Sequence, residues 1–165
     1  MAENFSFEVV SDFDRQELVN ALDQVKREIA QRYDIKGTDT LLELEKESIF
    51  ITTNSELTLN SVIDIIRQKA IKRKLSLKIF DYNSIEVVSG NRVKQTISLK
   101  QGLNQEIAKK ISKNIREEFK KVNVSINGDT LRVTSKSKND LQLIIKLLSD
   151  LEETYKIPLQ ANNYR

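Results

Sequence analysis

Two sets of polar side chains recur at the spacing of a strand face. Lys94, Thr96, Ser98 and Lys100 alternate with Val93, Gln95, Ile97 and Leu99. Asn123 and Ser125, then Arg132, Thr134 and Lys136, alternate with Val124, Ile126, Leu131 and Val133. A period of two turns one set toward a core and the other toward solvent. The outward set is basic and rich in hydroxyl and amide groups. Such groups hold phosphates by charge and meet base edges by hydrogen bonding. The same pattern also describes an ordinary solvated sheet face with lysines guarding its edges.

Other chemistries find less support. Asp12 with Asp14, and Asp129 with Asp140, could be acid pairs or magnesium ligands, but each is explained more simply as a cap or turn residue. The four glycines, Gly37, Gly90, Gly102 and Gly128, are isolated, so no phosphate-cradling glycine loop is present. With neither histidine nor cysteine, the usual proton shuttle, zinc ligands and thiol nucleophile are missing. Most enzyme chemistry is disfavoured, and no metal or cofactor is called for. Phe50 could stack a base, yet Glu43 and Glu45 on the same face repel phosphate, and single-strand binders use more than one aromatic platform. Phe50 is better read as covered by a neighbouring strand, the other domain or a second subunit. Lys109, Lys110, Lys113, Lys120 and Lys121 read as the wet side of an amphipathic helix.

The elements that position these residues follow from periodicity. Phe5, Phe7 and Val9 mark a strand. Asp14 and Glu17 form a capping pair for a helix with the stripe Leu18, Leu22, Val25 and Ile29. Two strands flank Glu45-Lys46-Glu47, and Ser55 caps a second helix. Its basic end, Arg67 to Lys78, either opposes the helix dipole or grips phosphate. Asp81 to Ser84 has turn composition, and Ser89-Gly90-Asn91 leads into the strand Val93 to Leu99. Gly102 precedes a helix with Leu103, Ile107, Ile111, Ile115 and Phe119 on one face. Asn127-Gly128 predicts a tight hairpin, because both residues tolerate positive φ. Ser137 and Asp140 cap a last helix running to about Ser149, and Ile157-Pro158-Leu159-Gln160 can supply only an edge strand.

The chain is written twice at an offset of 82. Ser48 to Ser55 lies over Thr130 to Ser137, and Leu59, Val62, Ile63 and Ile66 fall on Leu141, Ile144, Ile145 and Leu148. A period this long means two small domains, here residues 1–84 and 85–165. Each half supplies a strand, a helix, a strand pair, a helix and a further strand. The fold class is therefore α+β: two ferredoxin-like, or RNA-recognition-like, antiparallel sheets, each with helices on one side and an open face for ligand.

Charge is uneven along the chain. Residues 1–66 carry 6 basic and 14 acidic side chains, whereas residues 92–165 carry 15 basic and 8 acidic. A polyanionic partner is thus expected at the second repeat. No basic leader opens the chain, and no run of roughly 18 apolar residues occurs, so the reading is a cytoplasmic protein without a membrane partner.

The residues resemble the YajQ family of bacterial nucleotide-binding proteins over essentially the whole length. The resemblance is carried by Ser6-Phe7-Glu8-Val9-Val10-Ser11, Gln16 to Ala21, Ser89-Gly90, Leu99-Lys100-Gln101-Gly102-Leu103, Ala108-Lys109-Lys110-Ile111, Arg132 to Gln142 and Pro158-Leu159-Gln160. It implies two ferredoxin-like domains, with the amino-terminal strand (residues 5–10) paired into the other repeat's sheet. It also implies a non-enzymatic protein that binds a nucleotide, cyclic dinucleotide or short nucleic acid. The ligand is expected on the basic open face of the second sheet or in the crevice between repeats. Lys94, Lys100, Arg132 and Lys136 would contact phosphate, and Thr96, Ser98, Asn123 and Ser125 would orient the ligand. The alternative is a protein-interaction module acting on a transcription or translation partner. Where many relatives of the resembled family have two acids before Leu-Gln, this chain has Asn139-Asp140, and its tail reads Asn162-Asn163-Tyr164-Arg165; contact of either with ligand would alter specificity. The oligomeric state is left open.

Overall fold

A computed structural model describes residues 4–165; residues 1–3, on which the reading of the amino terminus partly rests, lie outside the described residues. The strands are β1 (Phe5–Val10), β2 (Leu41–Leu44), β3 (Ser48–Thr53), β4 (Phe80–Tyr82), β5 (Glu86–Val88), β6 (Arg92–Leu99), β7 (Asn123–Asn127), β8 (Thr130–Ser135) and β9 (Gln160–Asn162). The helices are α1 (Arg15–Gln31), α2 (Glu56–Lys72), α3 (Gln105–Glu118) and α4 (Lys138–Tyr155). The chain forms two compact units, one of residues 13–100 and one of residues 1–12 with 101–165.

Each unit is an antiparallel sheet with two helices. In the split unit the sheet order is β7-β8-β1-β9, and Phe7 pairs with Val133 and Val9 with Leu131. Setting residues 13–100 aside, this unit reads strand, helix, strand, strand, helix, strand, which is the ferredoxin-like sequence of elements. In the continuous unit the order is β2-β3-β6-β4, with β5 also on β6. Here β6 fills the place that β1 fills in the other sheet. The amino-terminal strand does cross into the second repeat's sheet, and β6 makes the reciprocal exchange into the first.

That exchange moves the division away from the repeat boundary at 84. Val93, Gln95 and Ile97 point into the core made with Leu18, Ile49, Ile51, Leu59, Val62 and Ile66. Phe7 and Val9 point into the core made with Ile111, Ile115, Val133, Leu141 and Ile144. Alternation fixes which face of a strand is buried, but both helix layers offer an aliphatic floor that either strand could use. The exchange also levels the charge: residues 13–100 carry 15 basic and 13 acidic side chains, and the other unit 12 and 11. Bulk charge therefore does not mark one unit for a polyanion.

All four helices begin on a side-chain cap. Asp14 Oδ1 accepts from Glu17 N (3.2 Å), Ser55 Oγ from Thr58 N (3.2 Å), Asn104 Oδ1 from Ile107 N (2.8 Å) and Ser137 Oγ from Asp140 N (3.2 Å). Four local expectations differ from the structure. The last helix continues past Ser149 to Tyr155, because Leu151 extends its buried stripe, and it stops where Lys156 takes a left-handed φ of 55°. Ile157 and Leu159 plug the core, so the edge strand forms later, at Gln160–Asn162. Phe80–Tyr82 is a strand on β6, where the composition of residues 81–84 suggests only a turn. The β7-β8 loop is Gly128-Asp129, since Asn127 pairs with Thr130, and Gly128 alone of the Asn127-Gly128 pair has positive φ.

Candidate functional site

The exchange divides the eight candidate binding residues. Lys94, Thr96 and Ser98 lie on β6 in the continuous unit, with Lys100 just beyond it; Asn123, Ser125, Arg132 and Lys136 belong to the split unit. They do not share one sheet face.

The β6 group has neighbours that weaken an anion site. Lys94 Nζ sits 5.0 Å from the centre of the Phe50 ring, so the aromatic is covered by a cation from the adjacent strand. Glu43 pairs with Phe50, Asp81 with Ser98 and Glu86 with Lys94 across the strands. Ser98 Oγ accepts from Asn83 Nδ2 (3.0 Å). This open face is mixed in charge, and its cleft of about 350 Å³ is lined by Leu41, Glu43, Glu45, Phe50, Thr52 and Lys94.

The other group gathers around a cleft. On β7 and β8, Asn123, Ser125, Arg132 and Thr134 share a face with Ser6 and Glu8 of β1. Arg132 Nη2 donates to Ser6 Oγ (3.4 Å), and Glu8 Oε2 accepts from Asn163 Nδ2 (2.8 Å). At the end of that face a cleft of about 610 Å³ is lined by Asn4, Lys121, Asn123, Thr134, Ser135, Lys136 and Ser137. Its volume falls within the range of small-molecule sites, roughly 300–1,000 Å³. Lys121, Lys136 and Asn123 are exposed, and the lining contains no carboxylate.

The floor of the cleft is the turn from β8 into α4. Ser135 Oγ accepts from Ser137 N (3.0 Å), and Ser137 Oγ caps the helix. A helix start carries partial positive charge and suits an anion, here reinforced by lysines. Asn123 and Lys136 are among the residues expected from the sequence, where Lys121 reads as the wet side of a helix and Ser137 only as a cap. The signal for both was the internal repeat.

At the offset of 82 the corresponding positions in the continuous unit are Asp39 for Lys121, Leu41 for Asn123, Asn54 for Lys136 and Glu56 for Lys138, while Ser55 matches Ser137. The strand registers agree, since Leu41 pairs with Thr52 as Asn123 pairs with Thr134. One framework thus carries three lysines in one unit and two acids in the other.

Three cations of the basic run at the end of α2 are engaged by neighbouring side chains. Lys69 Nζ meets Glu28 (3.1 Å) and Arg73 Nη1 meets Glu17 (3.6 Å), both on α1. Arg67 Nε donates to Tyr82 Oη (3.2 Å), and this hydrogen bond raises the guanidinium pKa above its ordinary value. Lys110 and Lys113 pair with Glu106 and Glu117 along α3. Among the described residues no group of His, Cys, Asp or Glu is placed to hold a metal ion, and no helix is long and apolar enough to cross a membrane.

A pair of ferredoxin-like units with exchanged strands, one bearing a lysine-lined cleft at a helix start, describes a double-domain α+β protein equipped to hold an anion. The family described as nucleotide-binding protein YajQ-like matches residues 5–165, and the chain belongs to that family. It is 87% identical over the full length of both chains to a nucleotide-binding protein of Prochlorococcus marinus strain MIT 9515. It is similar over the same extent to nucleotide-binding proteins of strain MIT 9312 (79%) and strain MIT 9211 (58%).

Proposed function

We propose that this protein binds a nucleotide phosphate in the cleft between β7, β8 and the start of α4, without turning the ligand over. Lys121 and Lys136 neutralise the phosphate, Ser137 and Thr134 donate to it, and Asn123, Ser125 and Arg132 meet the sugar or base along the adjoining face. The observation that carries this reading is the contrast at the repeat offset: Lys121, Lys136 and Lys138 replace Asp39, Asn54 and Glu56 on the same backbone framework. The names of the relatives agree with a nucleotide ligand.

Binding rather than catalysis fits the lining. It offers ammonium, hydroxyl and amide groups, and no carboxylate, imidazole or thiol that could act as a base. Lys94, Thr96, Ser98 and Lys100 take no part in this reading. A mononucleotide, a cyclic dinucleotide and the end of a short RNA all present the required phosphate, and all are met in the cytoplasm, the compartment in which we read the protein to act. Calorimetric titration with each ligand, on the intact chain and on Lys121→Ala/Lys136→Ala, tests the assignment. Ligand binding that survives the double substitution unchanged would remove the cleft from the account.

A further inference from the structure

At one edge the sheet of the continuous unit ends on β2. Among the described residues β2 pairs with β3 alone and forms the end of its sheet. An edge strand presents a row of backbone N–H and C=O groups that can template another strand. Natural edges are commonly blunted by short length, charged side chains (lysine above all), proline or a bulge; β2 is four residues long and carries the charge of Glu43. Leu41-Leu42-Glu43-Leu44 contains neither lysine nor proline, and Leu41 is 56% exposed.

Clefts flank this edge on both faces. On the helix side, a cleft of about 400 Å³ is lined by Ile29, Ala30, Ile35 and Leu42 together with polar groups that include Lys26, Lys36 and Asp39. On the open side, Glu43, Glu45, Phe50 and Lys94 line the smaller cleft of about 350 Å³. Successive side chains of a strand point to opposite faces. A strand added to β2 would therefore send alternate residues into the two clefts.

From this arrangement we infer that β2 is a docking edge for an extended segment of a partner protein that alternates basic and aliphatic residues. The aliphatic residues enter the helix-side cleft beside Ile29, Ala30 and Ile35. The basic residues meet Glu43 and Glu45, both exposed, on the open side. Main-chain bonds to β2 supply affinity, and the two clefts supply specificity. A second copy of this chain is disfavoured, because two β2 edges meeting would bring Glu43 and Glu45 of each copy together, and like charges across strands destabilise. A polyanion is disfavoured by the same carboxylates. The surface is separate from the lysine cleft, and the inference does not depend on nucleotide binding.

The test is fluorescence anisotropy of a labelled synthetic heptapeptide alternating arginine and valine, titrated with the full chain. A glutamate-valine peptide of the same length serves as control. The arginine peptide is expected to bind and the control not to. Glu43→Lys/Glu45→Lys, which alters exposed side chains only, should weaken binding at least tenfold while leaving the melting temperature within a few degrees. Independently of any variant, N-methylation of alternate peptide bonds should abolish binding for one alternate set and spare it for the other, since only one edge of the peptide faces β2. Loss with both sets or with neither, indifference to the charge reversal, or equal binding of the control peptide would overturn the proposal. So would a dimer, formed without peptide, that dissociates on Leu41→Lys.

Discussion

Ser55 and Ser137, 82 residues apart, cap α2 and α4 with the same hydrogen bond: each hydroxyl accepts from the backbone N–H three residues on, at 3.2 Å in both. Their surroundings differ. Ser55 is flanked by Asn54 and Glu56, whereas Ser137 is flanked by Lys136 and Lys138. Duplication preserved the helix start, and the charge around it diverged.

Aspartate caps a helix about as well as serine. Ser55→Asp and Ser137→Asp should both retain stability, with urea midpoints close to that of the parent. Only Ser137→Asp puts a carboxylate into the lysine cleft, so only it should weaken nucleotide binding, by tenfold or more in a calorimetric titration.

Salt dependence measures how many phosphate charges are met. If Lys121 and Lys136 each neutralise one phosphate of a short single-stranded RNA, the slope of log K against log salt should shrink by about 1.4 in Lys121→Ala/Lys136→Ala, at roughly 0.7 per contact. Glu43→Gln, in the other unit, should leave that slope unchanged.

The pH response separates ligand classes. The chain has no histidine or cysteine, the side chains that ordinarily titrate nearest neutrality. Affinity for a phosphodiester such as a cyclic dinucleotide should stay flat between pH 5.5 and 8, whereas a phosphomonoester should bind more tightly as its second ionisation, near about pH 6, completes. Stability has its own sign. Arg67 has a raised pKa from its bond to Tyr82, so its contribution is fully present below the ordinary guanidinium value and is lost only as pH rises through the raised one. Tyr82→Phe should therefore cost the same at pH 6 as at pH 9 in urea denaturation.

The strand exchange predicts unequal fragments. Residues 13–100 contain their whole sheet and core, so this fragment should fold alone with a cooperative melt and dispersed amide resonances. Residues 101–165 lack β1, which lies between β8 and β9 and contributes the fully buried Phe7 and Val9. That fragment should remain unfolded until residues 4–12 are added as a peptide or fused after Arg165.

Much of this was legible in the sequence, and the gaps have physical causes. The caps at Asp14, Ser55 and Ser137 and the alternation in β1, β3, β6 and β8 are local signals, and they located most elements. Which sheet β6 joins is a long-range choice: Val93, Gln95 and Ile97 present a buried face suited to either helix layer. Grouping Lys94 and Lys100 with Arg132 and Lys136 followed from chain proximity, which the exchange breaks. Lys121 was hidden because β7 begins only two residues later, so it reads equally as the wet end of the preceding helix. The repeat carried the missing information, since the offset that aligns Ser55 with Ser137 also aligns Asp39 with Lys121.

The central claim is that the cleft around Lys121, Lys136 and Ser137 holds the phosphate. Its most direct test is the melting temperature of the intact chain and of Lys121→Ala/Lys136→Ala against ATP, GTP, a cyclic dinucleotide and a short single-stranded RNA. A ligand at a hundredfold excess over its Kd stabilises the folded state by about 2.7 kcal/mol. The account predicts a rise of several degrees with at least one of these ligands, lost in the double variant while its ligand-free melting temperature is retained. A rise of equal size in both proteins would contradict it.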